Sequence, residues 1–157
     1  MEIVLLSVGK IITPWIHDGL ELFESRISRY NKFTTIILPD IKNSKSLSKE
    51  SIKEEEGRLI VESLNSSDFV VLLDERGKEY TSRELSLWFQ KQMNAGRKRV
   101  VFVVGGPFGF SRGVYEKAHA LLALSKMTFT HEMAKLILTE QIYRSLTILK
   151  GEPYHHD

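Results

Sequence analysis

The sequence contains no cysteine. That absence removes disulfides, thiolate metal sites and a cysteine nucleophile together, and it agrees with a reducing compartment. Long apolar runs are missing too: no stretch approaches the roughly 18 residues that a membrane span needs. The opening Met1 to Gly9 is apolar but lacks the basic lead and small-residue cleavage site of a signal peptide, so a cytoplasmic location is expected and no membrane association. The familiar nucleotide signatures are absent as well. No G-x-G-x-x-G follows the first apolar run and no G-x-x-x-x-G-K-[ST] occurs, which argues against a Rossmann dehydrogenase and a P-loop enzyme. A receiver domain needs acids after its first strand, and Ser7, Val8, Gly9 and Lys10 stand there instead. Internal repeats and low-complexity tracts are lacking.

What is present fits one globular domain spanning residues 1–157, with 42% hydrophobic and 27% charged residues. The formal net charge is only +2. From Arg97 onward, however, nine Lys/Arg stand against five Asp/Glu. A basic C-terminal part fits a polyanionic partner, although surface variation alone produces such asymmetry often.

Apolar runs of strand length alternate with stretches of helical period, which predicts a parallel sheet covered by helices on both faces. Strands are expected at Glu2 to Val8, Thr34 to Leu38, Phe69 to Leu73 with Asp74 ending it, Val100 to Val104, and Ala120 to Leu124. Ile16, Leu20, Phe23, Ile27 and Tyr30 recur at spacings of four and three, so they share one helical face. A second helix is expected from Lys49 to Leu64. Thr81 or Ser82 can cap a third, with Leu85, Trp88, Phe89 and Met93 inward and Gly96 near its end. The polar segment Asp40 to Lys49 reads as a mobile loop. A last helix, His131 to Leu149, is apolar on more than one side, which predicts burial either in the core or between subunits. In so short a chain a subunit interface, and hence a homodimer, is the preferred reading.

Ligands of open parallel sheets bind beyond the carboxyl ends of the strands, which singles out the loops after Leu73, Val104 and Leu124. Gly105-Gly106-Pro107-Phe108-Gly109-Phe110 allows close approach of backbone to a ligand, or else is a tight turn. Ser125-Lys126-Met127-Thr128-Phe129-Thr130-His131 mixes polar and apolar residues in a way that can fold over an aromatic ring, or be an ordinary loop. The tail Gly151-Glu152-Pro153-Tyr154-His155-His156-Asp157 gathers an aromatic ring, two imidazoles and acids. Its histidines lack a companion set at metal spacing, so no metal site is expected.

Taken together, Gly105 to Gly109, Leu124 to His131, Gln141-Ile142-Tyr143-Arg144 and Pro153-Tyr154-His155 resemble the RlmH group of SPOUT methyltransferases. The resemblance extends to the opening strand through Gly9-Lys10 and to the stretch from Leu72-Leu73-Asp74 to Gly77-Lys78. It implies an α/β fold with a C-terminal trefoil knot whose loops form the cofactor pocket, a fold that pattern alone never proposes. It also implies S-adenosylmethionine as cofactor, held by Leu73, Gly105, Leu124, Ser125, Lys126, Met127, Thr128 and Phe129. The implied reaction is methyl transfer to nitrogen 3 of a pseudouridine in the helix 69 loop of 23S rRNA, on the assembled 70S ribosome.

Catalytic roles carried over by the same resemblance fall on Arg144, Tyr154 and His155. Arg144 binds phosphate or stabilises negative charge on the base, Tyr154 stacks on or hydrogen-bonds the base, and His155 accepts a proton or orients. Their bland alternatives are an inter-subunit ion pair, a packing aromatic and a frayed end. The chain departs from the family at Thr130, where Pro is frequent, and at Lys135, where Arg is frequent. Three rival functions remain open: a non-catalytic RNA- or ribosome-binding module, a SPOUT methyltransferase acting on transfer RNA, and a small-molecule nucleotide enzyme.

Overall fold

A computed structural model of the chain describes residues 1–156. Its elements are β1 (Glu2–Val8), α1 (Pro14–Ile27), β2 (Phe33–Leu38), a 3-10 turn (Ser44–Ser46), α2 (Lys49–Glu62), β3 (Phe69–Lys78), α3 (Ser82–Asn94), β4 (Arg99–Val104), α4 (Arg112–Tyr115), β5 (Ala120–Leu122) and α5 (His131–Lys150). The five strands form one sheet in the order β2-β1-β4-β3-β5, with every neighbouring pair parallel. Helices cover both faces, as the alternation of patterns predicts.

The period of two along each strand sorts side chains into two cores. Ile3 and Leu5 of β1, with Phe102 and Val104 of β4, face a layer built from α1, α3 and α5. Val4, Leu6, Val101 and Val103 face the other way, toward Ile60 of α2 and Val114 of α4. Strands buried on both faces leave no polar alternation to read, which is why β1 and β4 appear in the sequence as unbroken apolar runs. Local chemistry fixes the helix ends. Thr81 rather than Ser82 caps α3, in a reciprocal capping box with Glu84.

Two strand limits differ from expectation. The apolar run marks only the buried part of β3, and its last residues, Asp74 to Lys78, are polar and mostly lie toward solvent. They remain in the strand because β3 bulges: Leu122 pairs with Leu73 and again with Lys78. Gly77 makes the bulge possible, since a Cβ there would lie 2.5 Å from main-chain atoms of Leu122. At β5 the reverse happens. The strand stops at Leu122, and Ala123 and Leu124 turn away from the ladder, although the Ala123 N–H still bonds the Lys78 carbonyl at 3.1 Å.

The last helix also reads differently in three dimensions. It packs between α1 and α3 in its own chain. Leu138, Ile142 and Leu146 point into the core, while Lys135, Thr139, Ser145 and Thr147 are buried as well. Burial within one chain therefore accounts for most of the helix's apolar character, and the argument from that character to a subunit interface loses its force. The segment Asp40 to Lys49 has little regular structure beyond its single 3-10 turn, which Asn43 enters in the left-handed region at φ 55°. No helix of the described residues is long and apolar enough to cross a membrane.

Candidate functional site

Three loops leave the sheet at the carboxyl ends of β3, β4 and β5 and enclose a cleft of about 710 Å³, within the range of small-ligand sites. Leu73 stands at its β3 side and Gly105 at the end of β4. Leu124, Ser125, Lys126, Met127, Thr128 and Phe129 form the wall that follows β5. All eight residues singled out for a cofactor thus line one cavity. Its rim carries both cations and apolar side chains: Lys53 and Lys126 line it, Phe108 is 37% exposed and Met127 75% exposed. Lys49 on α2 reaches over the Phe108 ring at 5.7 Å.

Asp74 supplies the most constrained charge in the cleft. Arg76 donates to it from Nε at 3.1 Å, Nη2 at 3.2 Å and the main-chain N at 2.8 Å, and the Tyr115 hydroxyl donates as well. These donors, Arg76 foremost, hold its pKa down at about 2 against the opposing effect of burial. The Tyr115 hydroxyl is pushed up in turn, by burial first and then by Asp74.

At the far wall, Thr130 caps α5, its hydroxyl accepting from the Met133 N–H at 3.3 Å. The residue that departs from the frequent proline thereby supplies a cap that proline cannot. Lys135, 2% exposed, donates from Nζ to the carbonyls of Gly9 at 3.1 Å and Val8 at 3.4 Å. It ties the end of β1 to α5, and burial lowers its pKa while Glu132 and Asp40 work the other way. His131 lines the cleft at the start of α5, with its pKa lowered by burial and by Lys135.

Arg144, Tyr154 and His155 also come together, but elsewhere. Glu140 is the hub: its Oε1 accepts from Arg144 Nη2 at 2.6 Å, Arg144 Nε at 3.0 Å and the Tyr154 hydroxyl at 3.1 Å. The Arg144 guanidinium lies 4.7 Å from the Tyr154 ring centroid, and Tyr154 meets Tyr143 edge-on at 4.7 Å. Burial, and Glu140 after it, raise the Tyr154 pKa. Arg144 Nη1 is 3.3 Å from His155 Nδ1. A guanidinium can only donate, so Nδ1 accepts and the ring hydrogen sits on Nε2. Earlier in the tail, Glu152 accepts from Tyr30 at 2.5 Å, which pushes that hydroxyl up to about 12.

None of the three lines the cleft of its own chain. Arg144 follows His131 by thirteen residues on α5, a rise of about 20 Å at 1.5 Å per residue. Sequence reading missed Glu140, although its position one helical turn before Arg144 is the ordinary spacing of a helical ion pair. It also missed Lys53, Arg76 and Tyr115 at the cleft, which no motif marks. His17, Asp18 and Glu21 bring ligand-type atoms within 4.8 Å of one another on the exposed side of α1. Exposed acidic groups of this kind are common without an ion.

Comparison with known proteins gives a consistent picture. The family model described as "Predicted SPOUT methyltransferase" matches residues 1–155. A curated protein of Parabacteroides distasonis named ribosomal RNA large subunit methyltransferase H is 48% identical over 157 residues, covering 100% of both chains. A protein of the same name from Christiangramia forsetii is 47% identical over 156 residues, 99% of each. Among solved structures, a probable methylase family protein of Haemophilus influenzae aligns with a TM-score of 0.51 at 14% identity, covering 99% of this chain and 70% of that one. That likeness concerns the fold.

Proposed function

From its membership of the SPOUT methyltransferase family, to which this chain belongs, we propose that it transfers a methyl group from S-adenosylmethionine to large-subunit ribosomal RNA. Nitrogen 3 of a pseudouridine in the helix 69 loop of 23S rRNA is the acceptor we infer, reached on the assembled 70S ribosome in the cytoplasm. The observation that carries the reading is the meeting of three strand-end loops around one cleft of about 710 Å³. Family membership further implies that the C-terminal part threads through a loop as a trefoil knot, with the knotted loops forming that cleft.

The residues present fit the cofactor. Leu73, Leu124 and Phe129 offer apolar cover for the faces of an adenine ring, and the main chain of residues 124–129 and of Gly105 offers donors and acceptors for its edge. When bound, S-adenosylmethionine supplies an electrophilic methyl on a good leaving group. The protein's own task is to hold the acceptor in line and favour its deprotonated form.

Arg144 and the Nε2–H of His155 both suit that task, since each donates toward negative charge developing on the base. His155, with Nδ1 engaged by Arg144, serves in this reading as an orienting donor rather than as the proton acceptor. The acceptor's proton then leaves to water. Tyr154 packs against the base. Because these side chains stand about 20 Å along α5 from the cleft wall, a second copy of the chain brings its tail to the cleft, so the working unit is a homodimer. Lys49, Lys53 and Lys126 are placed to meet phosphate, which makes binding weaken with salt.

The test is methyl transfer from labelled S-adenosylmethionine to purified 70S ribosomes, separated subunits and bulk transfer RNA, with Gly105→Arg as the cleft control. Label confined to 23S RNA of 70S particles, and lost in the control, is the expected result. Label in transfer RNA overturns the substrate. No label and no cofactor binding by calorimetry leaves a ribosome-binding module.

A further inference from the structure

The tail cluster holds a second guanidinium besides that of Arg144. Arg26 stands in the last turn of α1, half-buried. Its Cζ lies 5.6 Å from the Tyr143 ring centroid and 5.7 Å from that of Phe23. Tyr143 is the ring that Tyr154 meets edge-on, and Arg144 lies over Tyr154, so the aromatic pair carries one guanidinium on each ring. The two cations differ in what they have left to give. Every guanidinium nitrogen of Arg144 already donates, Nε and Nη2 to Glu140 and Nη1 to His155, and Glu140 matches its charge. The Arg26 side chain makes no hydrogen bond and no ion pair with the described residues. The acids on the elements beside it are held elsewhere: Glu24 accepts from the Thr35 hydroxyl at 2.6 Å and Glu152 from the Tyr30 hydroxyl at 2.5 Å.

A guanidinium stacked on aromatic rings uses its faces and keeps its N–H edges. Those edges form a fork that matches two oxygens of a phosphate. Packing over Phe23 and Tyr143 needs only the apolar stem, and the end of a helix is satisfied by any positive charge; neither calls for the fork. We propose that Arg26 binds a phosphate of the RNA strand that carries the acceptor base, leaving Arg144 and His155 to the base itself. The proposal rests on the reading of the chain as an RNA methyltransferase whose tail cluster, Arg26 with it, meets the cleft of a second copy. Charge sets the division of roles. A phosphate brings a full negative charge, which a guanidinium already matched by Glu140 attracts less than one that faces no carboxylate.

The experiment uses the full chain with Arg26→Met, which keeps the apolar stem, and Arg26→Lys, which keeps the charge. Methyl transfer to 70S ribosomes over a series of salt concentrations gives KM and kcat. Arg26→Met should raise the KM for ribosomes about tenfold, hold kcat within about twofold and lower the slope of log KM against log salt by about one. Arg26→Lys should keep the slope and raise KM about threefold, because a point charge replaces a fork. An unchanged KM and slope in Arg26→Met overturn the phosphate contact. A fall in kcat alone overturns it too, as does a rise in KM of the same size at every salt concentration, which is the mark of lost packing. If the parent methylates no RNA, the methyltransferase reading fails instead, and co-sedimentation of parent and Arg26→Met with ribosomes in rising salt still tests the contact. If Arg26→Met does not fold, Arg26→Gln takes its place with the same expected change of slope.

Discussion

Single residues carry the sharpest expectations here, because hydrogen-bond direction is settled by chemistry. His155 faces a guanidinium at Nδ1, so its useful atom is Nε2–H, and a neutral donor should substitute for it. His155→Gln should keep methyl transfer within about tenfold, while His155→Ala falls toward a hundredfold loss. Rates measured on 70S ribosomes check this, and equal losses in both variants would return His155 to the role of base. Asp74 makes a different claim. Its folded pKa of about 2 lies below the ordinary 3.8, so the stability it contributes is complete above pH 3.8 and disappears as pH falls through 2. The contribution is about 2 kcal/mol. Urea unfolding should show Asp74→Asn less stable by about that amount at pH 7, with the gap closing near pH 2.

Elements respond to backbone geometry that no side-chain pattern announces. Gly77→Ala drives a Cβ into the Leu122 main chain at 2.5 Å, where neither strand can yield without losing the bulge. Thermal melting should drop by more than a capping change produces, and S-adenosylmethionine binding should weaken with it because Leu73 and Leu124 flank the same bulge. A Thr81→Ala control, which loses one arm of a capping box, costs about 1 kcal/mol and leaves binding unchanged. The contrast explains what was legible beforehand. β1 and β4 were readable because apolar residues run along them unbroken, and α5 because it carries many apolar residues over a helical length. The end of β3 was not, since Glu75 to Lys78 are held by the bulged pairing with Leu122 rather than by burial. The three strand-end loops were readable from topology and glycine content. The separation of Arg144, Tyr154 and His155 from the cleft was not, because spacing along a sequence does not report which end of a helix meets which loop.

At the scale of the whole molecule, cleft and tail cluster lie apart in one chain, so the cooperation proposed for them calls for a second copy. Mixing Gly105→Arg, which spoils the cleft, with Arg144→Ala, which spoils the tail cluster, should restore methyl transfer that neither variant shows alone. No recovery after subunit exchange, verified by mass spectrometry, would mean that each chain completes its own site. The position of α5 carries another consequence. It fills the space between α1 and α3, with Lys135 bonded to Gly9 and Tyr30 to Glu152 across more than 120 residues. A helix made late is therefore packed against one made early. During translation the nascent chain can form its strands and early helices while the trough on one face of the sheet stays open and apolar. Such distant pairing slows folding. The growing chain is most prone to sticking until α5 emerges, and a chaperone that shields the Ile3 and Phe102 side of the sheet would serve it best up to that moment.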